Sequence, residues 1–496
     1  MKKINFILAS LAIVSLASCG KEHNPNGGNN KEPEVPKSTE CKLSKFAVKS
    51  GDASIEGFID QSQKTIEISY MPNEYLFLNA ATAEVTISDK ATIAPDPAEV
   101  IDYTVDGGVQ FTVTAEDGET SQVYTVVLAE AQFTEKAELK WTKTYGELGI
   151  GGGNTGQCAV AFCGTNAFAY NTLDVFDLEG NHLGVLNTDG VPGLDAYNGQ
   201  LGSMSNDEKG VLVALACYGG TNESSTVQTS VLAWIDGWDK APTCIYGPVD
   251  YQCYFMSVSG DVKGKFVLNF RTGASAAPQM HHVLVFDGKG YSTEDNVTWY
   301  GPKIGHPGTD GCWGQQLSFF TGDPEDGFVC WDSLGNGEYD GGAGNSSSAV
   351  YVYEGLTAYN NQFAAGEVNE VALRGGVSWA TWDSEPCHFG YGNFSTGHAR
   401  AFVYNGQKYV LVSSSSWPCN WITIQKADNI LEDDDTTDDV DESEANYFLP
   451  TQKIDGAASC YPAGAYVYDP ATGVGHVLVA SQSSVVVAYD MISDRI

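Results

Sequence analysis

The residues best suited to contact a ligand in this chain are tryptophans set among glycine, proline, serine and amides. Trp313 lies in Gly311-Cys312-Trp313-Gly314-Gln315-Gln316, Trp379 and Trp382 share one short segment, and Trp417 and Trp421 bracket Pro418-Cys419-Asn420. A flat indole stacks on the apolar face of a sugar ring, while neighbouring Asn, Gln and Asp side chains bind its hydroxyls. The same side chains could instead fill a core, and both readings stand. Oxygen donors gather in the segment from Asp332 to Asp340, where Asp332, Asn336, Glu338 and Asp340 would suit a structural calcium, though the spacing is not that of an EF-hand. Asp383 and Glu385, beside Trp379 and Trp382, are the carboxylates most suggestive of glycoside hydrolysis, which needs two acids at a fixed separation. With 63 acidic residues, however, the sequence does not select a pair. His281 and His282 are adjacent, so in a strand they point to opposite faces and do not share a metal. His388 and His398 flank a glycine-rich stretch and could approach across a hairpin. The chain has no HExxH and no GxSxG, and its glycine-rich segment 146–156 lacks the Gly-Lys-Ser/Thr ending that holds phosphates. No catalytic residue is assigned, and no cofactor beyond the structural calcium.

Those residues need a scaffold, and the hydrophobic pattern predicts strands throughout. From Glu40 to Ala131 apolar residues alternate, as in Thr65-Ile66-Glu67-Ile68-Ser69-Tyr70 and Val109-Gln110-Phe111-Thr112-Val113-Thr114, with turn signals between the runs. Short strands of this kind suit a two-sheet sandwich. From Phe133 to Ile496 a loose motif recurs, an apolar-aromatic strand end followed by Asp or Gly. It appears in Leu173-Asp174-Val175-Phe176-Asp177, Val231-Leu232-Ala233-Trp234, Val283-Leu284-Val285-Phe286-Asp287, Val350-Tyr351-Val352-Tyr353, Ala401-Phe402-Val403-Tyr404, Tyr466-Val467-Tyr468-Asp469 and Val485-Val486-Val487-Ala488-Tyr489-Asp490. Its early spacing of roughly 50 to 70 residues is the scale of a four-stranded propeller blade. The expected fold is all-β: a β-sandwich followed by a degenerate six- or seven-bladed β-propeller, with an acidic loop at 431–444.

The formal net charge of −37 argues against nucleic acid, whose binding rests on basic residues neutralising phosphate, and against anionic lipid heads and polyanions. Neutral ligands, cations and metal ions remain, and solubility alone also accounts for such a charge. The 12 cysteines are an even number only if Cys19 is counted. Cys158/Cys163 and Cys244/Cys253 are close enough in sequence to bridge, but spacing does not establish either pair.

Lys2 and Lys3 precede the apolar run Ile4 to Ala17, and Leu16-Ala17-Ser18-Cys19 closes it. A basic start, a short apolar core and small residues before a cut make a secretory signal peptide, and the run falls short of the ~20 residues that span a bilayer. The closing pattern resembles a bacterial lipobox, which implies a signal peptide at 1–18 and lipidation of Cys19. Residues 19–39 are polar and rich in Gly and Pro and read as a disordered tether. Lys21-Glu22 behind Cys19 resembles the surface-export signal of Bacteroidetes lipoproteins. Phe111-Thr112-Val113-Thr114-Ala115-Glu116-Asp117-Gly118-Glu119-Thr120 through Tyr124-Thr125-Val126 resembles a closing motif common in such lipoproteins, which carry an immunoglobulin-like or cadherin-like sandwich directly after the tether. The resemblance covers residues 40 to 131. It implies an outer-membrane protein, lipid-anchored and facing the cell exterior, with a C-terminal propeller-like domain of unknown function at 133–496. With the aromatic residues, it points to non-catalytic capture of a neutral extracellular glycan, in company with other outer-membrane uptake proteins. Membrane contact would be through the anchor only, and no nucleic acid is expected. Two other readings stay open: a carbohydrate-active enzyme, glycosidase or lyase, on the propeller, and a protein-binding scaffold or adhesin.

Overall fold

The computed structural model describes residues 36–51, 53–75, 77–150, 160–191, 201–218, 228–250, 253–272, 280–288, 297–300, 316–334, 347–358, 396–416, 419–428, 447–455, 463–481 and 485–496. The first unit holds β1 (Leu43–Ser50), β2 (Ala53–Asp60), β3 (Thr65–Tyr70), β4 (Thr82–Ile87), β5 (Thr92–Ala94), β6 (Gln110–Thr114) and β7 (Ser121–Glu130), with the single helical turn α1 (Pro72–Tyr75) after β3. Alternation decides the facing. Ile66, Ile68, Phe111, Val113, Tyr124 and Val126 are buried in one core with Leu43, Phe46 and Val48, while Glu67, Val123 and Val127 face out.

Instead of two separate sheets, the seven strands form one hydrogen-bonded order, β4-β1-β2-β3-β7-β6-β5. The reason lies in β2. Its first half, Ala53 to Glu56, pairs with β1, and its second half, Gly57 to Asp60, pairs with β3. A strand that switches sheets must bend at a corner. The switch falls at Gly57, where a β-carbon would sit 2.7 Å from Ile66 Cγ2 and 2.8 Å from Ile68 Cδ1. The absent side chain lets the strand fold over the core.

Only Ala131 and Gln132 separate β7 from β8 (Phe133–Thr144). Six sheets follow. Blade 1 holds β9 (Val160–Phe162), β10 (Ala167–Tyr170), β11 (Asp174–Asp177) and β12 (His182–Val185). Blade 2 holds β13 (Met204–Asn206), β14 (Leu212–Tyr218), β15 (Gln228–Ala233) and β16 (Thr243–Val249), and blade 3 holds β17 (Cys253–Gly260), β18 (Lys265–Thr272), β19 (Met280–Asp287) and β20 (Val297–Tyr300). Blade 4 shows β21 (Gln316–Phe319), β22 (Phe328–Leu334) and β23 (Ser347–Tyr353) among the described residues. Blade 5 holds β24 (Thr396–Tyr404), β25 (Gln407–Ser416), β26 (Cys419–Lys426) and β27 (Tyr447–Asp455). Blade 6 holds β28 (Ala463–Asp469), β29 (Val474–Ser481) and β30 (Val485–Arg495), and takes β8 as its outer strand.

The first strand of each blade touches that of the next, from β9 through β13, β17, β21 and β24 to β28, and β28 returns to β9. The ring therefore closes at six blades. The recurrent strand ending misleads as a blade counter because it marks the third strand in blades 1 to 4 but the first strand in blade 5, and both the first and third strands in blade 6. Closure comes from the two ends of this unit: β8 pairs antiparallel with β30 from Phe133↔Arg495 to Thr144↔Val485. Glycine-rich 146–156 begins with the helical turn α2 (Tyr145–Leu148), held by a Thr144/Glu147 capping box and ended by Gly149 in the left-handed conformation.

The sandwich is fastened to the propeller. Arg495, at the end of β30, donates from Nη1 to Ser69 O at 2.7 Å and from Nη2 to Glu74 of α1. Ile496 N donates to Gln132 O at 2.9 Å. Gly473 lies so close to Asn73 that a β-carbon there would stand 2.5 Å from Asn73 Nδ2.

Candidate functional site

Because the strands in each blade are antiparallel, every first strand runs from one face of the propeller, the entry face, to the opposite exit face. Connections that lead from an outer fourth strand into a first strand, and those between second and third strands, join strand ends on the entry face. Trp313 precedes β21, Trp379 and Trp382 precede β24, and Trp417 follows β25; all four lie outside the described residues. Trp421 is the exception to the expected loop setting, since its backbone is part of β26, paired with Ser414 and Lys453. Asp332 is likewise in a strand, β22, opposite Ala349, rather than in a tight loop. Asn336, Glu338 and Asp340, between β22 and β23, lie outside the described residues, as do Cys19, Asp383, Glu385 and His388. Among the described residues no group of three His, Cys, Asp or Glu side chains could hold a metal ion.

His282 and His398 take part in packing and in a blade seam. His282 is buried and stacks on Phe270 with ring centroids 5.0 Å apart. His398 Nδ1 accepts from Gly464 N at 3.2 Å. Burial pushes its imidazole down to about 3, and the charge of Arg400 acts in the same direction. Cys163 and Cys244 are thiols, so neither sequence-adjacent disulfide forms.

The axis of the ring is polar, which hydrophobic patterning does not reveal. Phe162 N donates to Asn206 Oδ1 at 3.1 Å, and Asn206 Nδ2 donates to Tyr466 O at 2.8 Å, so one side chain ties blade 2 to blades 1 and 6. Met256 N donates to Ser203 Oγ at 3.0 Å between blades 2 and 3. Ser257 Oγ and Ser259 Oγ donate to Leu317 O and Phe319 O, at 2.6 and 2.7 Å, between blades 3 and 4. Ala401 N donates to Ser318 Oγ at 3.0 Å between blades 4 and 5, and the His398 contact joins 5 to 6. Trp141 Nε1 donates to Leu178 O at 2.8 Å across the last seam. The signal for this ring was present: small hydroxyl residues alternate in β17 and recur at Ser205 and Ser318 on first strands and at Ser203 just before one.

Arg400 crosses the axis from blade 5 to blade 2 and was not found by sequence reasoning. Only 7% exposed, it donates from Nη1 to Ser205 Oγ and from Nη2 to Asn206 O, each at 2.6 Å. Burial pulls its guanidinium down to about 10, against the holding charges of Glu208 and Asp207, so it remains charged at neutral pH. Asp207 accepts backbone N–H groups from Lys209, Val211 and Val262 at 2.9, 2.7 and 2.9 Å, which explains its carboxylate structurally. Burial nevertheless raises its pKa against those bonds, and it raises that of Glu208 as well. Beside Arg400, at the exit face, lies a cavity of about 370 Å³ walled on one side by Pro72 and Asn73 of α1.

No curated protein matches the chain. Among solved structures it is similar to a DUF4623 family protein from Bacteroides eggerthii DSM 20697, at 12% identity over 92% of this chain and 99% of that one, with a TM-score of 0.42. It is also similar to the GH93 alpha-L-arabinofuranosidase of Fusarium graminearum with arabinobiose, at 11% identity over 68% of this chain and 92% of that one, with a TM-score of 0.36. Likenesses this distant assign neither ligand nor activity, and the fold rests on the strand order above. The first unit is more specific: residues 43–128, β1 to β7, match the family SGBP, N-terminal, the N-terminal region of surface glycan-binding proteins.

Proposed function

We propose that this protein is a surface glycan-binding protein, tethered through lipidated Cys19, whose propeller captures a neutral extracellular glycan without cleaving it. The match of residues 43–128 to the SGBP N-terminal family carries the reading, since that family consists of cell-surface glycan-binding proteins of Bacteroidetes. The topology supports it. The sandwich is fastened beside the exit face, so the entry face is the free end of the propeller. Trp313, between β20 and β21, and Trp417, between β25 and β26, lie in segments that join strand ends there, Trp379 and Trp382 lie in the segment that leads into β24, and Trp421 begins two residues inside β26. Stacking by Trp313, Trp379, Trp382, Trp417 and Trp421 would supply affinity without charge, in keeping with a chain of net charge −37. Asp332, Asn336, Glu338 and Asp340 would contribute a structural calcium rather than a catalytic one. Other outer-membrane uptake proteins are the expected partners.

The test is a glycan array probed with the body from residue 36 onward, followed by product analysis of each glycan retained. Retention of neutral glycans with no cleavage products is expected. Shortened or unsaturated products would overturn the non-catalytic reading in favour of a glycosidase or lyase.

A further inference from the structure

We infer that the cavity between α1 and the exit face of the propeller binds a small ring-bearing monocarboxylate, with Arg400 receiving the carboxylate. This site stands apart from the entry face and does not depend on the glycan reading.

Arg400 is a buried cation whose two hydrogen bonds among the described residues go to neutral oxygens, Ser205 Oγ and Asn206 O. Its Nε has no partner among the described residues, and Glu208 and Asp207 act on it through charge alone. Burying a charge without an ion pair is costly, and an orphaned donor adds to that cost. If Arg400 served only to latch blade 5 to blade 2, its two Nη groups would suffice, and a neutral donor would do the work at lower cost. Arg400 instead lines a cavity of about 370 Å³. That is within the size range of small-molecule sites and suits a single sugar-sized ring. Lys209 adds a second cation to the lining, so the cavity carries positive charge inside a strongly acidic chain.

The remaining walls fit a ring. Phe320, Phe402, Tyr466 and Tyr468 line the cavity, and Phe402 stacks on Tyr466 with centroids 4.0 Å apart. Aromatic faces of this kind take either the C–H face of a sugar or the face of an aryl group. Glu208 is the one carboxyl in the lining, beside the two cations Arg400 and Lys209. One carboxylate is matched here; a polyanion is not. Since Pro72 and Asn73 belong to the sandwich, an occupant would touch both units and stabilise their junction by linkage.

The experiment is titration calorimetry and thermal melting of the full exported chain in detergent, with sodium glucuronate, sodium benzoate and glucose as probes. At least one of the two acids is expected to bind with a Kd below about 1 mM and to raise the melting temperature, with glucose at least about tenfold weaker. Glucuronate ahead of benzoate would identify a sugar acid, and the reverse an aryl acid. Arg400→Lys should weaken acid binding about tenfold or more. Because that position is buried, Lys209→Glu, at an exposed residue, serves as the second variant and should abolish acid binding with the circular dichroism spectrum unchanged. The inference is overturned if neither acid binds at millimolar concentrations, if glucose binds as well as glucuronate, or if folded Lys209→Glu protein binds the acid as the parent does.

Discussion

The sandwich and the propeller close around opposite kinds of centre. The sandwich encloses an apolar core in which Phe46 meets Phe111 edge-on with centroids 5.3 Å apart. The propeller keeps its apolar clusters between blades and lines its axis with serines, Asn206 and Arg400. A folded-over sheet of seven strands can meet itself through side chains alone. Six first strands converging on an axis bring unpaired backbone groups together, and those groups must be hydrogen-bonded when buried. Short hydroxyl and amide side chains supply the partners that neighbouring strands cannot.

The largest effect expected from breaking this contrast is in the sandwich. Phe111→Ala should cost about 3–5 kcal/mol of that unit's stability, read by urea unfolding followed with far-ultraviolet circular dichroism. At the propeller axis, Asn206→Ala leaves Phe162 N and Tyr466 O without this side chain, and should cost about 1–3 kcal/mol for a group left unsatisfied. Arg400→Met should be milder than Arg400→Ala, because an apolar chain of similar length replaces the buried charge without leaving a void. Equal losses from the two would mean that the guanidinium, not the volume, holds the ring.

A third, smaller effect depends on pH. His398 is folded in the neutral form, with its pKa lowered from 6.5 to about 3. Between those values the unfolded chain binds the extra proton, so stability is full above about pH 6.5 and falls as pH drops toward 3. By pH 5 the loss should reach about 2 kcal/mol, and His398→Asn should flatten that part of the stability profile. The smallest effect belongs to the junction. Arg495→Ala removes an exposed ion pair with Glu74 and a bond to Ser69 O, and should cost only about 0.2–1 kcal/mol in a thermal melt.

The same contrast explains what was legible in the sequence. Alternation such as Thr65-Ile66-Glu67-Ile68 exposed the sandwich strands because one face of each meets an apolar core. It missed the sheet switch at Gly57, since a glycine shows only that a side chain is absent and not what fills its place. In the propeller the strand ending Val-Phe-Asp was visible, but blade number was not, because the ending marks the first strand in blade 5 and both the first and third strands in blade 6. Arg400 was invisible for a different reason. Its partners, Ser205 and Asn206, are nearly two hundred residues away in the chain, brought close only when the ring closes. The tryptophans could be chosen by type and company, yet Trp421 shows the limit of that choice: Pro418 nearby suggested a loop, while its backbone pairs on both sides within β26.

The account stands or falls on whether those tryptophans bind ligand. The decisive measurement is calorimetric titration of a neutral glycan retained by the body, using the parent and the alanine variants of Trp313, Trp379, Trp382, Trp417 and Trp421, at low and high salt and alongside a melting curve for each. The account predicts affinity nearly independent of salt, and at least one variant that loses about 2 kcal/mol of binding while melting like the parent. Five variants that all lower the melting temperature, with none selectively losing the glycan, would show these residues to be core and contradict the account.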